Sequence, residues 1–340
     1  MERLIISSEA FYDLIVHPIF TGWDSDFTGT YSGTLTEFTV DDNVSLAKGN
    51  PIIDIFSKRN ILQRKDRSCK TNWSQIAKGS SRTLTVDELY GAVEDCQEEF
   101  YAGCLKDFRD QSPIFRDYIL RFFKQAIATD LVSNSYFGNV ERAADPTGTW
   151  SWNQYDGVFT QYANYISAGG DLTPTVLSAI PQGVISPQDA YMIFDEAYKK
   201  QTYEMKAQIV GDKAFYVSDS LAQALYDYYI SIGKNAGNIG YIENGMPALN
   251  FKGIPVLVEP TWDPILTLLN SGITAHALVL TIRGNFVFGT NKNYGGGADL
   301  KQALRVWYSE DDEVWRYKAH LTAGTDIASP QNSVLALTNI

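Results

Sequence analysis

The sequence predicts an α+β fold, with helical and β stretches grouped in different parts of the chain. Three stretches carry that expectation. Lys213–Pro260 gives a short apolar strand at Ala214–Val217, a helical run over Ser220–Ile232, and a second strand over Ile254–Val258. Ser112–Tyr136 repeats apolar residues at helical spacing over its whole length. Leu304–Tyr308 and Val314–Leu321 alternate side chains about an acidic turn, as an antiparallel hairpin does.

Composition bounds the rest. The chain has 340 residues, 44% apolar and 20% charged, which is enough to bury a core without disulfides or metals. Aromatic residues reach 13%, a content suited to core packing or to subunit contact. A net charge of −12 opposes tight duplex binding, which needs clustered cations. The local exception is Lys58, Arg59, Arg64, Lys65 and Arg67, which reads as a solvated loop or as a patch for an acidic neighbouring subunit. Three Cys (Cys69, Cys96, Cys104) are an odd number, which fits free thiols in a reducing compartment. The apolar stretch at Met1–Ser7 is too short for a signal-peptide core, and no window approaches ~18 uncharged apolar residues, so no membrane span is expected.

In chain order, residues 1–50 are rich in Thr, Ser, Gly and Asp and read as an extended arm. Their apolar clusters, Leu4–Ile6, Phe11–Val16 and Leu35–Val40, would find partners on another chain, leaving the body able to fold without them. Residues 51–84 place β-prone pieces on either side of a basic middle, a long hairpin-like loop. Thr85 and Glu88 fit a capping box, and Leu89, Val93, Cys96, Phe100, Cys104 and Phe108 continue as a helical stripe. Ser112-Pro113 opens the long helix, with Phe115, Tyr118, Ile119, Phe122, Ala126 and Ile127 as its buried face. Ser186-Pro187-Gln-Asp189 caps a further helix faced by Ala190, Ile193, Phe194, Ala197, Tyr198 and Met205. Ser218 or Asp219 caps the run at Ser220, and Gly253 and Pro255 punctuate the strand that follows. Ala277–Ile282 and Asn285–Phe288 are short strands around Arg283-Gly284.

Candidate chemistry is sparse. The three His (His17, His276, His320) stand apart, with no His-Glu-x-x-His or Cys-x-x-Cys to hold zinc. Cys96 and Cys104 read as small core hydrophobes, and Cys69 as a loop thiol among cations. Gly284–Thr290 lacks the lysine of a P-loop, and Gly295–Gly297 is a plain loop. Asp24–Gly29 starts like a calcium loop but has Leu35 where a bidentate Glu is needed. Asn72-Trp-Ser74 is a formal sequon, and Glu310–Glu313 is an acidic turn. No catalytic residue, cofactor or metal site is expected.

The order of these elements resembles the HK97-fold major capsid proteins of tailed phages. The strand, helix and Gly-x-Pro-Val strand of Lys213–Pro260 look like their axial domain, and Ser112–Tyr136, closing on Asn134–Asn139, looks like their spine helix. Leu278–Val314 and Ala323–Pro330 resemble the later strands and the final turn, while the region from Cys69 to Cys96 resembles capsid proteins of phages from Bacteroidetes hosts.

The resemblance implies an N-terminal arm (1–50), an extended loop (51–84), a peripheral domain with the spine helix (85–170) and an axial domain (171–265). It implies return strands of the peripheral domain (266–324) and a final segment back to the axial domain (325–340). It also implies a non-enzymatic shell protein of the virion, assembled in the host cytoplasm as hexamers and pentamers. Portal, scaffold and decoration proteins would be its partners, and the shell would enclose DNA without reading its sequence. The alternatives are an encapsulin-like compartment and a carbohydrate-binding β-rich protein or enzyme. The Lys–Asn crosslink of some family members is not matched residue by residue and is not carried over to this chain.

Overall fold

Two sheets share one core in the computed structural model of this chain. It describes residues 4–7, 10, 12–16, 19–20, 37–57, 77–96, 112–233, 239–241, 247–292, 302–309, 311–312 and 314–338. The strands are β1 (Leu4–Ser7), β2 (Thr39–Asp41), β3 (Asn50–Ser57), β4 (Ala77–Leu84), β5 (Asp87–Cys96), β6 (Thr175–Val176), β7 (Lys213–Ser218) and β8 (Ile239–Tyr241). They continue as β9 (Pro247–Phe251), β10 (Ile254–Glu259), β11 (Ala277–Ile282), β12 (Phe286–Gly289), β13 (Gln302–Ser309), β14 (Val314–Ile327) and β15 (Ser333–Leu337). One sheet runs β1-β13-β14-β12-β2, with β5 also paired to β14, and the other runs β6-β15-β11-β7-β10-β9-β8.

The seven-stranded sheet is covered on both faces, which is why its central strands are continuous apolar runs rather than alternations. Ala214 and Tyr216 of β7, Ala277 and Val279 of β11 and Leu335 of β15 face the core shared with the other sheet. Phe215, Val217, Leu278, Leu280, Val334 and Ala336 face a second core under the helices Pro187–Lys199 and Asp219–Ser231. Ser186 caps the first of these, accepting from the Asp189 N–H at 3.1 Å. That helix stops at Lys199, so Met205 enters the core from the next short helix, Tyr203–Ala207.

The long helix spans Ser112–Phe137 and lies over the β13–β14 hairpin, as the two periodicities predict. Phe123, Ile127 and Leu131 share a core with Leu304, Val306, Trp315 and Tyr317, and the Phe123 and Tyr317 rings stand 5.9 Å apart. The register Leu304↔Ala319 to Ser309↔Val314 puts the turn where the acidic run predicts it. The buried face is rotated from the expected one: Phe122 is exposed and Phe123 is buried. Both fit the spacing, and the hairpin chooses between them.

Three expectations are overturned. Asp87–Cys96 is a strand, not the start of a helix, and pairs with β14 from Asp87↔Ala323 to Cys96↔Val314. The spacing of Leu89 and Val93 suits either period, and a ten-residue ladder on β14 outweighs a capping box. Ala277–Ile282, assigned by resemblance to the return strands, lies between β7 and β15 in the other sheet. Its unbroken apolar run fits a strand buried on both faces.

The described part of the first 50 residues also does not wait for another chain. β1 pairs with β13 and β2 with β12, and Tyr12, Val16, Ile19, Phe20 and Phe38 are buried in the main core. Phe20 packs on Phe288 at 4.2 Å, and Phe38 meets Phe286 at 5.3 Å and Tyr136 at 5.5 Å. Phe38→Ala therefore lowers the unfolding free energy by about 3–5 kcal/mol in urea titration. Deleting residues 1–50 yields an aggregating chain rather than a soluble body, as sedimentation will register.

Gly253 sits at the tip of the β9–β10 turn, where Phe251 faces Ile254. Lys252 and Gly253 both have left-handed φ, 52° and 85°. Two such residues in succession make the turn that matches strand twist, and a β-branched side chain resists that backbone. Gly253→Val costs more than about 1 kcal/mol by thermal unfolding.

Candidate functional site: an anchored hairpin and a polar junction

β3 and β4 form a separate two-stranded ribbon, in register from Asn50↔Leu84 to Ser57↔Ala77. At about 3.3 Å per residue the ribbon reaches roughly 26 Å from its base. The base is held in three ways. Leu84 and Val86 are buried with Val44 and Val287 in a small core of their own. Gly324 lets the β14 backbone touch the turn, because a Cβ there would lie 2.1 Å from the Thr85 carbonyl oxygen. Arg82 supplies the charge. Its guanidinium donates to Asp326 Oδ1 at 3.2 Å, to the Ala328 carbonyl at 2.6 Å and to the Tyr165 hydroxyl, and it lies 5.1 Å over the Tyr165 ring. Tyr165 donates to Asp326 Oδ1 at 2.6 Å. Burial, then the Asp326 charge, pushes the Tyr165 hydroxyl well above its ordinary range, so it stays a proton donor.

Beside this anchor the chain crosses twice between the sheets, from β11 to β12 and from β14 to β15. Asn285 ties the crossings together. Its amide donates to Thr281 Oγ1 at 2.7 Å, the Ser329 carbonyl at 3.1 Å and Ser333 Oγ at 3.2 Å. Its side-chain oxygen accepts from the Ser329 N–H at 2.6 Å, and its backbone carbonyl accepts from the Ala328 N–H at 2.8 Å. Tyr162 joins at Ser333 Oγ, 2.7 Å away, its hydroxyl also raised by burial. A buried amide with its hydrogen bonds met fixes geometry as well as stability.

A third network has the composition of a catalytic triad without its arrangement. Asp263 accepts from the Ser220 N–H at 2.7 Å and from Ser220 Oγ at 2.9 Å. Ser220 Oγ lies 2.7 Å from His276 Nδ1, and His276 Nε2 donates to the Gly183 carbonyl at 2.7 Å. The serine stands between acid and imidazole, and the far ring nitrogen is spent on a carbonyl, whereas nucleophilic activation needs the imidazole in the middle. The network caps a helix and fixes a loop. Ser218 is at the N-cap position but makes no side-chain cap. Asp263 does that work, and no local motif shows a carboxylate from so far along the chain.

Of the other residues weighed, His320 lies half-buried on β14 against the Tyr90 ring. Burial and Lys318 hold its imidazole below the ordinary value, opposed by Glu88. In the acidic turn Asp312 pairs with Arg316 at 2.7 Å, and Arg316 also reaches Glu94 at 3.3 Å. Gly284 turns the chain between β11 and β12 with φ 72°. Cys96 ends β5. His17, Asp24–Gly29, Arg59–Arg67, Cys69, Asn72–Ser74, Cys104 and Gly295–Gly297 lie outside the described residues.

The same arrangement occurs in solved structures. A chain from the satellite phage P4 procapsid including the size determination protein matches over 94% of this chain and 97% of its own, with TM-score 0.54 and 12% identity. The capsid of an empty GTA particle matches over 92% and 98%, with TM-score 0.53 and 14% identity. The capsid of Myoviridae phage XM1 matches over 93% and 96%, with TM-score 0.52 and 12% identity. This is the HK97-like fold of phage capsids. No protein-family model and no curated protein sequence matches the chain. The expectation of a Bacteroidetes host finds no support among these capsids.

In this capsid fold the Arg82 anchor carries a definite cost. Arg82→Met leaves the Asp326 carboxylate, 8% exposed, without its cation and lowers stability by about 3–5 kcal/mol. Arg82→Met with Asp326→Leu recovers most of that loss. Thermal unfolding of the single and double variants checks both statements.

Proposed function

We propose that this chain is the shell-forming subunit of a phage capsid, a major capsid protein that acts by geometry rather than by catalysis. The observation that carries the reading is that capsid chains are matched from end to end, 94% of this chain against 97% of one of them. In this reading the seven-stranded sheet with its helices is the axial lobe. The six-stranded sheet with the long helix is the peripheral lobe, and the β3–β4 ribbon is the extended loop that overlaps neighbours. The N-terminal segment belongs to the body rather than to a free arm. Hexamers and pentamers close the shell in the virion, with portal and scaffold proteins as partners. The net charge of −12 suits a container that must release DNA rather than bind it.

The aromatic content weighs against a sugar-binding surface. Tyr136, Tyr155, Tyr162, Tyr216, Trp262 and Tyr317 are fully buried in the core. The test is expression of the full chain, with scaffold supplied, followed by sedimentation and electron microscopy. Closed shells of uniform size are the expected result. A chain that stays monomeric at high concentration overturns the reading. Shells purified from infected cells that hold a protein cargo instead of DNA favour the encapsulin-like alternative.

A further inference from the structure

Four polar groups stand in a row between the helix Asp219–Ser231 and the Gly183 loop. Asp263 Oδ1 lies 2.9 Å from Ser220 Oγ, Ser220 Oγ lies 2.7 Å from His276 Nδ1, and His276 Nε2 lies 2.7 Å from the Gly183 carbonyl oxygen. Each of the three contacts needs one proton between its atoms. The serine hydroxyl supplies one and a neutral imidazole supplies one, while carboxylate and carbonyl only accept. Two protons for three contacts leave two lone pairs facing each other at hydrogen-bond distance, beside a ring that is 1% exposed. A third proton removes that conflict.

The surroundings place the third proton on the ring. Asp263 accepts a further bond from the Ser220 N–H at 2.7 Å, in the first turn of the helix Asp219–Ser231. Two donors and the positive end of a helix favour the ionised carboxylate. An imidazole that carries both protons donates from both nitrogens, as the two remaining contacts require. The segments that hold the hydrogen-bond partners of His276 are acidic. Residues 177–186, 219–231, 259–276 and 333–338 include Asp219, Asp227, Glu259 and Asp263, and neither Lys nor Arg. Lys213 lies at the far end of β7, opposite Ile282. Burial, then the Asp263 charge, raises the Asp219 carboxyl, so this corner has excess negative charge for an imidazolium to offset.

We infer that His276 is an imidazolium paired with the Asp263 carboxylate through the Ser220 hydroxyl, and that its second proton latches the Gly183 loop to the helix Asp219–Ser231. The ring is the fixed part of the latch, because the His276 N–H donates to Thr338 Oγ1 at 2.8 Å. The loop is the part released. It carries Val184, which is fully exposed, so the latch sets where one apolar side chain stands on the surface. Withdrawing a proton leaves the ring one donor for two acceptors, and the tie between loop and helix is cut. An unfolded imidazole loses its proton near about pH 6.5. A fold that keeps the proton above that pH binds more protons than the unfolded chain, so its stability falls as pH rises. The latch is complete below about pH 6.5 and opens as the pH climbs beyond it. The device belongs to the single subunit and does not depend on shell assembly.

The test uses the full-length chain with isotope-labelled histidine, read by magic-angle-spinning NMR at about pH 7.5, well above the unfolded value. The chain has three His, and His276→Gln identifies the signals of interest. Two protonated ring nitrogens are expected for His276. Asp263→Asn brings the missing proton itself: its amide N–H donates to Ser220 Oγ, the serine donates to Nδ1, and a neutral ring completes the row. That variant is expected to show one protonated and one bare nitrogen. Hydrogen exchange of the Gly183 loop gives the second readout, corrected for the intrinsic rate. Between about pH 6 and about pH 9 the wild-type loop loses about tenfold in protection, the worth of one charge-assisted hydrogen bond, whereas Asp263→Asn stays protected. A bare ring nitrogen in wild-type His276 at about pH 7.5 overturns the inference, and that measurement needs no variant to fold. So does a wild-type loop whose protection ignores pH, or an Asp263→Asn chain that keeps the imidazolium or the wild-type pH response.

Discussion

The structure depends on one buried amide holding two crossings in place. β11 and β15 belong to one sheet, and β12 and β14 to the other. The chain passes between the sheets twice at the same place, and Asn285 bonds to both passages. Without that tie, two short connections would be the main covalent link between lobes that share a core. With it, Thr281, Ser329 and Ser333 form one polar unit, and Tyr162 braces it from the helix Val158–Ala168. Shape complementarity alone would let the sheets slide, because apolar contact has no preferred direction. Directional bonds at the junction remove that freedom.

The ribbon anchor is built on the same ground. Asp326 precedes the second crossing by a few residues, and the Ala328 carbonyl bonded by Arg82 belongs to the crossing itself. The direction in which β3 and β4 leave the body is thus set by groups that also set the relation of the two sheets. The ribbon is thereby referenced to the same polar junction that fixes the two sheets. Long charged side chains lose entropy when fixed, so the pairing is effective here because the site is largely buried and the hydrogen bonds are shared.

Much of this was legible in the sequence. The long helix, the β13–β14 hairpin, the Ser186 cap and the Gly253 turn are local patterns, and local patterns survive folding. The failures share a cause. Leu89 and Val93 fit two periods, and only the ladder to β14 decides between them. Phe38 sits in polar surroundings and Phe20 beside His17 and Pro18, and their burial depends on Phe286 and Phe288, far along the chain. Asp263 caps a helix through the N–H of Ser220, 43 residues earlier. Arg82 and Asn285 carry no motif at all, since each acts through partners that only the tertiary fold brings near.

The position of β15 has a consequence for synthesis. Ser333–Leu337 fills an interior place in the seven-stranded sheet, between β6 and β11. β1 in turn waits for β13, some three hundred residues on. Contacts of such sequence separation form late, because the loops they close must be ordered first. A nascent chain still missing its last described strand leaves β11 unpaired on one side and has no second crossing for Asn285 to bind. Prematurely terminated chains therefore cannot present the finished subunit surface. The topology thereby withholds the finished surface until translation has passed the point where both sheets are complete.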